Sequence, residues 1–273
     1  HTYYKDDPII REMAVLFSIH NLGFQAAFDH HFVTEMEYDA GQAEVPGLFD
    51  PKLLKLNPMR RGIMYADVVN TVSPTYAQEI TTPEYGELLH DLLAERRGVL
   101  SGILNGIDYE EWNPETDTNL PVNFSSKTLA KREKNKSALQ QKFNLPQDDS
   151  TFLMGIVSRL TDQKGLDLMM GFGDALFENF NAQLIVLGTG DGKFINYFTE
   201  LQQKYPKKVA LHPSFDPILP RMIYGGTDAT LIPSRYEPCG LTQMEAMRYG
   251  SIPIVRKTGG LADTVVDYSP EDT

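Results

Sequence analysis

The chain has 273 residues, 41% hydrophobic and 23% charged, with a formal net charge of −12. That length suffices for one large domain or two of common size. The acidic balance disfavours nucleic acid or an acidic membrane surface as a partner, so an anionic ligand has to meet a local cluster of positive charge.

No apolar run approaches the roughly 20 residues that span a bilayer. The opening residues, His1 through Pro8, are polar, unlike a signal peptide. The single cysteine, Cys239, excludes an internal disulfide and suits a reducing compartment, the cytoplasm or alternatively the plastid stroma.

In chain order, residues 14–19 form the first expected strand, followed by Ser18-Ile-His20-Asn21 at its carboxyl end. Residues 68–72 and, more weakly, 99–103 are expected as further strands. Between the latter two, Ser73 and Pro74 open a helix, as N-cap and first helical position. The polar, turn-rich stretch 113–121 separates the halves, and the domain boundary is placed near residue 122, giving domains 1–121 and 122–273. A lysine-rich helix over 127–143 follows. Strands at 151–157, 183–187, 209–211, 229–232 and 252–255 then alternate with helices at 165–180, 193–205 and from about residue 241. Strands apolar on both faces, separated by helices, make a parallel sheet covered on each side, a doubly wound α/β domain.

Three turns in the second half bear on chemistry. Ser234-Arg-Tyr-Glu-Pro-Cys-Gly-Leu241 follows the strand at 229–232, where open α/β sheets take their ligands. Pro238 and Gly240 break the chain there, and the free amides of the helix that follows suit a diphosphate. Glu237 and Glu245 face one ligand in this reading; in the alternative, Glu245 lies on a solvated helix face. Ser158-Arg-Leu-Thr-Asp-Gln-Lys-Gly165 reaches the same sheet edge, and its Arg159 and Lys164 supply the concentrated positive charge, or else are two exposed bases on a loop. Leu187-Gly-Thr-Gly-Asp-Gly192 lacks both the dinucleotide and the phosphate-loop patterns and is assigned a packing role.

These segments, in order, resemble the glycogen and starch synthase family of retaining glycosyltransferases. The matching stretches are Ser18-Ile-His-Asn-Leu22, Val72-Ser-Pro74, Gly102-Ile-Leu-Asn-Gly-Ile-Asp108, Glu111-Trp-Asn-Pro114, the two turns at 158–165 and 233–241, Gly188-Thr-Gly-Asp191 and Thr258-Gly-Gly-Leu-Ala-Asp-Thr-Val265. The resemblance implies two Rossmann-like domains facing across a cleft, the GT-B architecture. It implies ADP-glucose as donor, an α-1,4-glucan as acceptor, and no metal or other cofactor.

It further implies that Arg159 and Lys164 neutralise the leaving diphosphate, that Glu237 holds the donor glucose as a positioning residue, and that Glu245 takes the ribose hydroxyls. The amides of Gly240, Leu241 and Thr242 would receive phosphate and sugar oxygens, with Cys239 a small residue shaping the site. His20 and Asn21 would contact the glucose from the opposite domain. Asn105 would line the cleft, and Phe215 would lie against the base.

The family's Lys-x-Gly-Gly loop near the N-terminus is absent here, and Lys257-Thr-Gly-Gly260 matches a different family segment. The chain is therefore expected to be a fragment, with an incomplete first domain and a truncated second one, that binds nucleotide but turns over poorly. Asp29-His-His31 and Glu35-Met-Glu37 carry no assignable role. The competing readings are a sucrose or trehalose-phosphate synthase, a non-catalytic glucan-binding derivative, and a nicotinamide-dependent oxidoreductase, which lacks its fingerprint.

Overall fold

The computed structural model describes residues 6–27, 49–50 and 55–269. The motifs Asp29 to His31 and Glu35 to Glu37 lie outside these residues. The chain divides into two compact units, His1–Leu104 and Asn105–Thr273.

The first unit carries a parallel sheet of β1 (Leu16–Ile19), β4 (Val68–Thr71) and β5 (Leu100–Gly102), with β4 in the middle. A short antiparallel pair, β2 (Phe49–Asp50) and β3 (Lys55–Leu56), precedes helix α1 (Pro58–Tyr65). Helix α2 (Pro74–Glu79) starts as expected: the Ser73 hydroxyl accepts the Tyr76 amide at 2.9 Å, and Pro74 occupies the first turn. Ile19, Ile63, Val69, Tyr76, Ile80 and Leu93, the last from α3 (His90–Glu95), close the core.

The second unit begins with α4 (Arg132–Lys142), entered through a 3-10 turn over Ser126–Lys131. Then β6 (Phe152–Val157), α5 (Asp167–Asn179), β7 (Ala182–Leu187), α6 (Gly192–Lys204), β8 (Val209–His212), α7 (Leu219–Gly226), β9 (Ala229–Ile232), α8 (Thr242–Arg248), β10 (Ile252–Val255) and α9 (Gly259–Thr264) follow. The sheet is parallel with order β10-β9-β6-β7-β8.

Alternate residues of the central strands feed two separate cores. Leu153, Ile185 and Leu187 join α4, α7 and α8 on one face; Met154, Ile156, Leu184 and Val186 join Met169, Phe177, Phe194 and Phe198 of α5 and α6 on the other. Each such fully buried side chain stabilises the fold by about 1.5–3 kcal/mol. The doubly wound reading thus holds, and the expected strands recur within a residue or two. Gly188 and Gly190 have the packing role expected of them. A Cβ on either would come within 2.3 Å of the Ser158 or Leu160 carbonyl oxygen, so the turn after β7 rests directly on the backbone after β6.

The units divide well before residue 122, and the reason is packing. Residues 105–121 are bound to the second unit: the Tyr249 hydroxyl donates to Asp117 at 2.6 Å, Arg221 pairs with Glu111 at 2.9 Å, and the Arg221 guanidinium lies 4.3 Å from the Trp112 ring centroid. No helix among the described residues is long and apolar enough to cross a membrane.

Candidate active site

In the second unit's sheet the chain runs outward from β6 through β7 to β8, then returns to place β9 on the other flank of β6. The strand order reverses between β6 and β9, and open α/β sheets bind ligands in the crevice at that point, beyond the strands' carboxyl ends. Both charged turns singled out from the sequence leave the sheet there, residues 158–166 after β6 and residues 233–241 after β9.

The turns are in direct contact. Gly165 adopts φ +63°, and a Cβ on it would lie 2.0 Å from the Pro233 carbonyl oxygen, so only glycine permits the approach. The Arg235 amide donates to the Gln163 carbonyl at 2.8 Å, and the Gln163 side chain donates to the Tyr236 carbonyl at 3.3 Å. On this frame the Lys164 ammonium reaches Glu237 Oε2 at 2.5 Å. The same oxygen accepts the Ser234 hydroxyl at 2.9 Å. Glu237 is 8% exposed and Ser234 fully buried, so the carboxylate is held by one cation and one hydroxyl with little water around it. Arg159 stands exposed at the mouth of the turn and donates to the Gln163 side chain at 3.2 Å.

A third turn closes on these two. The Gly260 amide donates to the Glu237 carbonyl at 3.0 Å, and a Cβ on Gly260 would lie 2.0 Å from the Cys239 carbonyl oxygen. Gln243, fully buried, ties the Cys239 and Gly240 carbonyls to the Thr264 hydroxyl. Gly240 sits at φ +71°, the left-handed turn that aims the chain into α8. Cys239 is buried. Burial pushes its thiol above the ordinary value, against the opposing hydrogen bond from the Asn105 backbone. Asn105 is thereby brought beside this turn.

Glu245 is not on a solvated helix face. It is partly buried on α8, and burial pushes its carboxyl up to about 7, against the pull of the Tyr224 hydroxyl and the Arg221 charge. Burial would likewise raise the Asp117 carboxyl, but hydrogen bonds from Tyr249 and Asn119, with the Arg221 charge, hold it below the ordinary value.

Phe215 projects from the same sheet edge beyond β8, the outermost strand, and is 84% exposed, apart from this hydrogen-bonded cluster. His20 and Asn21 occupy the carboxyl end of β1 in the first unit. His20 is exposed, and Asn21 accepts the Gly23 amide at 2.9 Å. Volume alone does not mark the site. A groove of about 860 Å³ in the second unit takes in Met244, Met247 and Arg248 of α8 but none of Lys164, Glu237 and Glu245. Among the described residues no group of three or more His, Cys, Asp or Glu side chains is placed to hold a metal ion.

Ser234, Gln163, Gln243 and Tyr224 are not among the residues to which the sequence assigns a role. Ser234 and Gln163 lay inside quoted motifs, whereas Tyr224 carried no signal beyond its place in an apolar helix.

The family model described as "Glycosyl transferases group 1" matches residues 135–271, and the "Starch synthase catalytic domain" model matches residues 1–95. The chain belongs to the group 1 glycosyl transferases.

This glycosyl transferase chain is 46% identical over 275 residues to a glycogen synthase of Fervidobacterium nodosum, covering 99% of this chain and 55% of that protein. A glycogen synthase of Thermotoga maritima is 47% identical over the same shares of both chains. Among solved structures, the catalytic domain of starch synthase IV from Arabidopsis thaliana, bound to ADP and acarbose, superposes with a TM-score of 0.83 at 35% identity, covering 99% of this chain and 56% of that one. Anabaena HepE in complex with UDP, at 15% identity and a TM-score of 0.57 over 95% of this chain and 57% of that one, shares the fold. The glycosyl transferase chain thus spans about half the length of the curated relatives it matches.

Proposed function

We propose that the protein transfers glucose from ADP-glucose to the non-reducing end of an α-1,4-glucan, with retention of configuration and without a metal or other cofactor. The observation that carries the reading is the Lys164–Glu237 pair, 2.5 Å apart at the point where the sheet's strand order reverses, in a chain of this family. ADP as the nucleotide is favoured by the starch synthase relative with ADP and acarbose bound.

Breaking the anomeric C–O bond leaves a diphosphate that gains negative charge and a sugar that gains positive charge. Lys164 and Arg159, on the turn after β6, stabilise the departing oxygen most strongly in the transition state, where its charge is largest. Glu237, already fixed by Lys164 and Ser234, orients the donor glucose. Its carboxylate offers hydrogen-bond acceptors to the sugar hydroxyls and acts as a positioning residue, not a nucleophile. The left-handed Gly240 turns the backbone so that the amides of Gly240, Leu241 and Thr242 face donor oxygens. Glu245 takes the ribose hydroxyls, Phe215 the base, and Asn105, beside the Cys239 turn, lines the site. His20 and Asn21 are the sugar contacts assigned to the first unit. A cytoplasmic location is part of the proposal, supported by the single buried free thiol.

The test is transfer of radiolabelled glucose by the intact protein from ADP-glucose and from UDP-glucose onto glycogen. Label is expected in the glucan, preferentially from ADP-glucose. Tight nucleotide binding with no label transferred from either donor would overturn the reading.

A further inference from the structure

We propose that Ser234 is a positioning residue for the donor sugar: it is the fixed partner of Glu237 and Lys164 the exchangeable one, so that Ser234 keeps the carboxylate in place once the diphosphate draws the ammonium away. This rests on the reading of Lys164 as a cation for the diphosphate and of Glu237 as the holder of the glucose.

Both protein donors meet the same oxygen. The Lys164 ammonium and the Ser234 hydroxyl reach Glu237 Oε2 at 2.5 and 2.9 Å, and neither engages Oε1. A carboxylate oxygen has two acceptor sites, so Oε1 remains for the hydroxyls of a sugar.

The two donors differ in freedom. Ser234 is fully buried, and a single rotatable bond separates its hydroxyl from the backbone. That backbone is clamped on both sides: Gly165 packs against the Pro233 carbonyl before it, and the Arg235 amide donates to the Gln163 carbonyl at 2.8 Å after it. The Ser234 hydroxyl cannot follow a ligand. Lys164 instead ends the 3-10 turn Asp162–Lys164 and carries its charge on four methylenes, with three donors that rotate freely. Its ammonium can be redirected while the turn stays still. The Gly260 amide pins the Glu237 carbonyl at 3.0 Å, so the carboxylate's direction depends on what holds Oε2.

Charge sets the direction of the exchange. A carboxylate bears a single negative charge and a diphosphate more than one, so the ammonium is drawn toward the diphosphate. A carboxylate deprived of its cation in a site this poor in water is costly unless other donors hold it. The Ser234 hydroxyl on Oε2 and the sugar hydroxyls on Oε1 are those donors. Release of Lys164 and capture of the sugar are therefore coupled through one carboxylate.

Calorimetry on the intact protein tests this with ADP and, in the absence of acceptor, with ADP-glucose. Ser234→Ala is expected to bind ADP as the parent does, since water in the empty sugar site solvates the carboxylate. It is expected to bind ADP-glucose roughly tenfold more weakly, for loss of one hydrogen bond to a charged group. Equal loss for both ligands would mean that Ser234 serves the turn and not the sugar, and the proposal fails alone. Glu237→Gln is expected to bind ADP several-fold more tightly than the parent, because Lys164 no longer has a carboxylate to leave. The same substitution in a Lys164→Met background is expected to bring no gain. A gain that persists without the lysine is plain charge repulsion, and it refutes the exchange, as does no gain in either background. A parent that binds neither ADP nor ADP-glucose would sink the donor-site reading itself.

Discussion

Replacing Lys164 by alanine separates what the Lys164–Glu237 pair does for the fold from what it does for the reaction. The two side chains are 18% and 10% exposed, so removing the ammonium leaves a carboxylate largely shut from water. Breaking a fully buried pair costs about 3–5 kcal/mol. Glu237 keeps the Ser234 hydroxyl and some solvent access, which reduces the expected loss to about 2 kcal/mol. A change of that size lowers the melting temperature by roughly 5 °C in a domain of this size. Adding Glu237→Gln removes the stranded charge and keeps an acceptor for Ser234, so the double variant is expected to recover most of the melting temperature.

Activity behaves differently. Removing one preorganised group from a developing charge costs about 3 kcal/mol of barrier, a factor of ~100 or more in kcat, and the second substitution cannot restore it. The assay is transfer of labelled glucose from ADP-glucose to glycogen by the intact protein, with kcat and KM resolved, alongside thermal melts of all three proteins. An unchanged kcat with only KM raised would show that Lys164 binds ground state and transition state alike, and would refute its leaving-group role.

Four further substitutions probe other links. The Glu245 carboxyl titrates near 7 in the folded protein and near 4.5 when free. The native state therefore holds the extra proton between those values, and stability falls as pH climbs through that window. Glu245→Gln should match the parent in urea denaturation at pH 4.5 and gain on it by about 2 kcal/mol at pH 8, once partial exposure is discounted; parallel pH curves would contradict this. Gly165→Ala places a Cβ 2.0 Å from the Pro233 carbonyl oxygen at φ +63°, and is expected to cost about 2–3 kcal/mol in denaturation and to weaken ADP binding in calorimetry. Gly171→Ala on the exposed side of α5, with open space around its Cβ, should instead gain about 0.5–1 kcal/mol. Tyr249→Phe removes the 2.6 Å donor to the buried Asp117 and should lower stability by about 1–3 kcal/mol in urea denaturation.

What could be read from the sequence was local in origin. β7, all six of its residues buried, reads as an apolar run interrupted by Gln183 alone because both faces of the sheet are covered. Ser73 and Pro74 announce a helix start by chemistry confined to one turn. The two charged turns were legible because each directly follows a strand, and topology carries both to one edge. The contacts that could not be read join residues far apart in the chain. Arg221 meets Glu111 across 110 positions, Tyr249 meets Asp117 across 132, and nothing within a short window of either residue signals its partner. The polar, turn-rich composition before residue 122 reads as a domain boundary. That composition marks a linker only where the stretch does not bind its neighbour, and here Trp112 and Asp117 do.

The attachment of residues 105–121 also dictates where the second unit can be severed. A polypeptide started at residue 122 would leave the Arg221 guanidinium without its two carboxylate partners, strip the indole from the faces of Tyr224 and Tyr249, and take away the Asn105 amide that meets the Cys239 thiol. One started at Leu104 keeps all of these. The stretch that looks like a tether in the one-letter code is a clasp, and an excision made by composition would cut through it.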